Sequence, residues 1–125
     1  MQLTLETHGE SQGNLVIQSW EPGSVKISGE SFPHHVLIHG GKTAEWAPAD
    51  AAHPASEDFA QLVELQPEII LFGTGIQQTF PPIELMTEIM QQGIAFEVMD
   101  SAAACRTYNV LSTEQRRVAA AILIR

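Results

Sequence analysis

The repeat of apolar and polar positions changes partway along the chain, and the two parts predict different architecture. Asn14 to Trp20 and Ser24 to Ser28 are short apolar or β-branched runs on either side of Glu21-Pro22-Gly23, so they read as a β-hairpin closed by a tight turn. His35 to His39 and Thr43 to Trp46 flank Gly40-Gly41 in the same way, with Pro33 bounding the earlier side. Residues 1–46 are therefore expected to form an antiparallel meander, and residues 47–55, with their Ala and Pro content, a linker.

From residue 56 to 125 the spacing predicts helix, strand, helix, strand, helix, strand. Ser56 is placed as an N-cap, with Glu57 and Asp58 in the first turn, Phe59, Leu62 and Val63 on one face, and Pro67 ending the helix. Ile69-Ile70-Leu71-Phe72 is a continuous apolar run, as expected of a strand covered on both faces, and it leads into Gly73-Thr74-Gly75. Pro82 suits the first helical position, Ile83, Met86, Ile89 and Met90 recur at helical spacing, and Gly93 sits where a left-handed C-cap belongs. Met86 and Met90 are read as core filler rather than as a cofactor or peptide-binding surface. Ala95 to Met99 is the next strand, Asp100-Ser101 caps a third helix over Ala102 to Tyr108, and Tyr108-Asn109 closes it. After the polar turn Ser112 to Gln115, the β-branched ending of Val118 to Ile124 favours a closing strand. The fold class is α/β, with parallel βαβ units in the C-terminal half.

Composition narrows the functional classes. A chain of 125 residues suits a single domain that buries roughly two thirds of its unfolded surface. Cys105 is the only cysteine, which excludes an internal disulfide and makes a cytoplasmic home the expectation. Met1 to Glu6 has neither basic residues nor a long apolar run, so it is not expected to be a secretion signal or an Arg-rich transit peptide. Val118 to Ile124, the longest apolar stretch, is far short of the ~20 residues of a membrane span. A net charge of −9 opposes binding to a phosphate backbone, so nucleic acid is not an expected partner. The charge is unevenly placed: residues 1–100 carry 14 acids against Lys26 and Lys42, whereas residues 101–125 carry four arginines against Glu114.

Candidate chemistry gathers where the two parallel strands end. Ligands in open α/β sheets bind at the carboxyl ends of strands, which here carry Gly73-Thr74-Gly75 and Asp100-Ser101. Two helices begin nearby, and Gln77 or Arg106 would assist an anion there. The dinucleotide fingerprint fails because position 78 is Gln and Phe80-Pro81-Pro82 delays the helix, and no Gly-Lys-Thr or Gly-Lys-Ser is present. His34, His35 and His39 are not expected to hold a metal: His34 and His35 point to opposite faces of a strand, and His35 and His39 would stand ~13 Å apart. Cys105 beside Arg106 near a helix start has two features that favour a thiolate, but the buried-hydrophobe reading is stronger, since no histidine follows His53. Asp100 is better read as a cap than as a general base. No cofactor is expected.

Pro67-Glu68-Ile69-Ile70-Leu71-Phe72-Gly73-Thr74-Gly75, Gly93-Ile94 with Glu97-Val98-Met99-Asp100, and Ala104-Cys105-Arg106-Thr107-Tyr108-Asn109-Val110-Leu111 together resemble domain-of-unknown-function family 498. That family includes the mitochondrial complex I assembly factor 3 and the adipogenesis-associated domain-containing protein. The resemblance implies a three-layer α/β fold: a central mixed sheet, helices, and an antiparallel β-meander layer from the N-terminal half. It also implies a role in holding other proteins during assembly, with no settled enzymatic activity. The expected function is accordingly a non-catalytic protein-binding module, possessing an assembly or chaperone-like role with another protein as partner. The alternative is a small-molecule or anion-binding protein or enzyme using Gly73, Thr74, Gly75, Gln77, Asp100, Ser101 and Arg106, and a third is a redox-sensitive protein using Cys105.

Overall fold

The computed structural model, which describes residues 15–125 and the backbone of residues 6 and 7, divides the expected meander between two sheets. Expectations attached to Met1 to Leu5, and to Asn14 as the first hairpin residue, lie outside the described residues. Strands β1 (Glu6–Thr7), β2 (Ile17–Glu21), β3 (Ser24–Ile27), β4 (Glu30–Phe32), β5 (Val36–His39) and β6 (Lys42–Glu45) follow in order. β2, β3 and β4 form a small antiparallel sheet, while β1, β5 and β6 join β7 (Ile69–Gly73), β8 (Ala95–Met99) and β9 (Val118–Ile122). That larger sheet has the order β1-β6-β5-β9-β7-β8. β7, β8 and β9 run parallel, and β5 is antiparallel to β9 and β6.

Burial explains the split. β3 alternates buried Val25 and Ile27 with exposed or partly exposed positions, and β2 buries only Ile17, so each has at most one face to hide. Val36, Leu37 and Ile38 in β5 are all fully buried and need cover on both sides. A one-faced hairpin can lie on a core as a separate layer; a two-faced strand has to enter the central sheet.

Around the sheet lie α1 (Ala60–Glu64), entered through a 3-10 turn at Ser56–Phe59, α2 (Ile83–Met90) and α3 (Ser101–Thr113). Alternate residues of the central strands point into two separate cores. Ile69, Leu71, Val118, Ala120 and Ile122 meet α3 and the small sheet through Ala104, Tyr108, Ile17, Val25 and Ile27. Ile70, Phe72, Ala119 and Ala121 meet α1 and α2 through Leu62, Leu85 and Ile89. The second core holds Trp46, Phe59, Phe72 and Phe96 at ring-centroid distances of 5.2 to 6.3 Å, mostly edge to face. Ala119 and Ala121 leave the room these rings fill.

Four local expectations need correction. Ser56 is not the cap: Ala55 holds that position, and the Asp58 carboxylate accepts from its N–H at 2.7 Å. Pro82 precedes α2 as its N-cap, and the buried face is Leu85 and Ile89; Met86 packs against that core, whereas Met90 stands 51% exposed rather than filling it, and Ile83 is 67% exposed. The third helix does not close at Tyr108-Asn109 but runs on to Thr113. Asn109 lies within the helix, and its amide receives Ile17 N–H and donates to Ile17 C=O, both at 2.9 Å, tying α3 to β2. The closing strand forms as expected, over Val118–Ile122, and lies between β5 and β7.

Candidate functional site

Parallel pairing of β7 with β8, Gly73 opposite Met99, brings the two following loops to one rim of the sheet. Gly73, Thr74, Gly75, Asp100 and Ser101 meet there. Gly73 is the close-approach position: a Cβ on it would stand 2.9 Å from both Cα and Oγ of Ser101 and 3.1 Å from Ala104. Gly75 has φ +104°, and a Cβ there would come within 2.7 Å of the Arg125 carbonyl oxygen.

The polar groups at this rim are engaged with one another. Ser101, fully buried, accepts from Gly75 N–H at 2.8 Å and donates its hydroxyl proton to the Leu123 carbonyl. Its own N–H donates to Gly75 C=O at 2.8 Å. Asp100 caps α3, its carboxylate receiving Ala103 N–H at 2.8 Å. Thr74, 4% exposed, donates to the Gln77 carbonyl at 2.5 Å and accepts from Thr79 N–H at 3.1 Å, which folds residues 74–79 into a tight loop. Gln78 Nε2 donates to the Val98 carbonyl at 2.9 Å. Among the described residues, no buried side-chain nitrogen or oxygen lacks a hydrogen-bond partner.

The segment after β9 completes the knot. Leu123 N–H donates to Gly73 C=O, and Leu123 C=O accepts from Trp20 Nε1 as well as from Ser101. Ile124 C=O accepts from Gly23 N–H at 2.6 Å, while Ile124 N–H donates to His35 Nδ1 at 2.9 Å. Residues 123–125 thus hold the small sheet, β5, β7 and α3 together. His35 must carry its proton on Nε2 to accept this bond. Burial first, then the nearby His34 and Arg125, lowers its pKa. His39 is lowered likewise by burial and then by Arg117. Among the described residues no group of three metal-ligating side chains occurs.

Open space begins beside this knot. A cleft of about 170 Å³ is bounded by Ala51 to Pro54, Phe72, Thr74, Thr79 to Pro82, Leu123 and Arg125. A shallower depression, lined by Thr74, Ile76, Gln77, Thr79 and Arg125, adjoins it. Of the residues singled out from sequence, Thr74 and Gln77 border this space. Arg106 is exposed on α3 and lines neither hollow. Pro54, Phe80, Leu123 and Arg125 were not anticipated; Phe80-Pro81-Pro82, which delays α2, was the available signal. Cys105 is buried on α3, and that burial pushes its thiol up to about 12, outweighing the opposing influence of Arg106. No helix among the described residues is long and apolar enough to cross a membrane.

Known proteins resemble this chain in sequence and in fold. The NADH dehydrogenase [ubiquinone] 1 alpha subcomplex assembly factor 3 of Danio rerio is 30% identical over 116 residues, covering 91% of this chain and 67% of that protein. A 13 kDa major membrane protein of Francisella tularensis is 42% identical over 62 residues, half of each chain. The crystal structure of a Bartonella henselae protein described as an outer membrane protein superposes with a TM-score of 0.80 at 27% identity, covering 90% of this chain and 96% of that one. Because the match extends over residues 17–123, through both sheets and all three helices, the chain belongs to the family described as protein of unknown function (DUF498/DUF598).

Proposed function

We propose that the protein is a non-catalytic protein-binding module of the assembly-factor kind. The observation that carries this reading is the division of labour at the carboxyl rim of β7 and β8. Its polar side chains, Ser101, Thr74 and Asp100, are committed to internal hydrogen bonds, whereas apolar side chains project beyond it, with Ile76 and Phe80 each 63% exposed. Groups already satisfied by the fold are poor nucleophiles and bases, while exposed apolar side chains in one segment are the usual raw material of a protein contact. Relatives named as complex I assembly factors point the same way. A cytoplasmic site of action belongs to the same proposal.

The test is affinity purification of the tagged full chain from native extract, with the soluble and membrane fractions taken separately. The expected result is one protein recovered in stoichiometric amount from the soluble fraction and lost with Phe80→Asp. Recovery of no stoichiometric partner from either fraction would overturn the reading, and recovery confined to membranes would overturn its location.

The cleft supports a second reading, capture of a small ligand between Phe80, Pro54 and Leu123 with Thr79 and Arg125 at its polar side. Thermal-shift screening against small carboxylates and phosphates tests it. A stabilisation abolished by Arg125→Ala is expected, and no shift with any of them would sink it.

A further inference from the structure

Seven large hydrophobic residues are exposed among the described residues, and four of them, Ile76, Phe80, Ile83 and Met90, fall within one stretch of the chain. The helix geometry orders this apolar surface. Successive residues step about 100° around an α-helix, and Leu85 and Ile89 face the core. Ile83, Met86, Thr87 and Met90 then occupy one flank of the outward side, and Glu84 and Glu88 the other. From Ile83 to Met90 the apolar flank runs about 10 Å along the axis, two helical turns.

On α2 and the segment that carries it the charge has a single sign, while Arg125 lies beside residues 79–82 before the helix and Arg116 and Arg117 share a hollow with Gln92 after it. Residues 43–105 contain ten Asp and Glu and not one Lys or Arg. On the same side of the sheet, Glu57 and Glu64 are exposed on the 3-10 turn and α1, and that turn packs against α2. An occupant must therefore offer apolar side chains to Ile83 and Met90 and positive charge to Glu84 and Glu88. A bilayer of anionic lipid meets the first requirement and is repelled by the second.

We infer that the outward flank of α2, together with residues 76–82 leading into it, is the docking surface for a cationic amphipathic helix of a partner protein. The inference rests on the protein-binding reading above and specifies its surface. Apolar side chains of the partner helix lie along Ile83, Met86 and Met90, its Lys or Arg side chains face Glu84 and Glu88, and Phe80 abuts one end. Electrostatic attraction sets the encounter rate, and the apolar flank sets the residence time.

The experiment uses the purified full chain and a labelled Leu/Lys amphipathic peptide of about five helical turns. Controls are a peptide with its Leu and Lys positions scrambled, and one with Glu for every Lys. Fluorescence anisotropy is expected to show binding to the Leu/Lys peptide that weakens about tenfold or more with Ile83→Ser plus Met90→Ser, and likewise with Glu84→Lys plus Glu88→Lys. Val110→Ser, an exposed apolar position elsewhere, should change nothing, and unchanged thermal unfolding should confirm that each variant is folded.

Equal binding of the scrambled peptide would reduce the effect to bulk charge and overturn the inference. So would binding indifferent to the α2 substitutions. Association with phosphatidylglycerol vesicles in preference to the peptide would assign the surface to a membrane, and a concentration-dependent dimer abolished by Ile83→Ser would assign it to a second copy of the chain. Either result overturns the inference. If the natural partner is recovered by affinity purification but survives the α2 substitutions, the surface is wrong and the protein-binding reading stands.

Discussion

Ser101 gives its hydroxyl proton to the Leu123 carbonyl across 2.6 Å while the same oxygen receives the Gly75 amide proton at 2.8 Å. One side chain at the start of α3 thereby joins the loop after β7 to the segment after β9. Ser101→Ala removes both bonds in a site without water access and is expected to cost about 1–3 kcal/mol. Gly75→Ala adds a Cβ at φ +104° against the Arg125 carbonyl and should cost at least as much. Urea unfolding followed by circular dichroism measures both; a loss within error for either would remove the knot as a source of stability.

Asn109 presents a similar contact on the other side of α3. With Asn109→Ala, Ile17 loses a partner for its N–H and its C=O, and a loss of about 1–3 kcal/mol is expected. Asn109→Asp keeps the acceptor but aims a carboxylate at the Ile17 carbonyl, and is expected to be no better. Hydrogen exchange at Ile17 is the specific readout, with faster exchange in both variants.

Stability should decline as the solution is acidified through the ordinary histidine range, in part because of His35. Its folded pKa lies below the ordinary histidine value of about 6.5, so the unfolded chain takes up the proton first. Stability is fully present above 6.5 and falls as pH drops from there toward the folded value. His34 and Arg125 are the charges nearby, and both oppose protonation. His35→Asn retains an acceptor close to the position of Nδ1 and cannot titrate. Between pH 7.5 and 5 the unfolding midpoint of this variant should fall less than that of the parent; parallel curves would exclude His35 as a contributor.

The Cys105 thiol, pushed up to about 12 by burial, should resist a thiol reagent at pH 8 in the folded protein and react promptly in urea. Fast labelling without denaturant would restore the redox reading.

Periodicity, helped by the turn residues between runs, found most strands but missed the short β4. β4, Glu30-Ser31-Phe32, has a single inward residue and offers no pattern to detect. The division of the early strands between two sheets was nonetheless encoded in the difference between the one-sided β3 and the fully apolar Val36-Leu37-Ile38. The rim that joins Gly73-Thr74-Gly75 to Asp100-Ser101 was legible because parallel strands deliver their next loops to the same edge. What was not legible is that Ser101 is sealed beneath residues 123–125: that follows from β9 standing between β5 and β7, and strand order leaves no trace in local spacing. Met90 was misassigned for a related reason. Helical spacing identifies a stripe, but Leu85 and Ile89 compete with Ile83 and Met90 to be that stripe, and only the packing partner decides.

The central position of β9 has a consequence for synthesis. β5 and β7 do not pair; each hydrogen-bonds to β9, on opposite edges. A nascent chain that has emerged through α3 but not beyond therefore holds two half-sheets with raw inner edges and no strand to unite them, a species prone to pairing with its neighbours on a polysome. Ribosome-bound chains arrested before Val118 are expected to be readily cleaved by protease, and those in which residues 118–125 have cleared the exit tunnel to resist it.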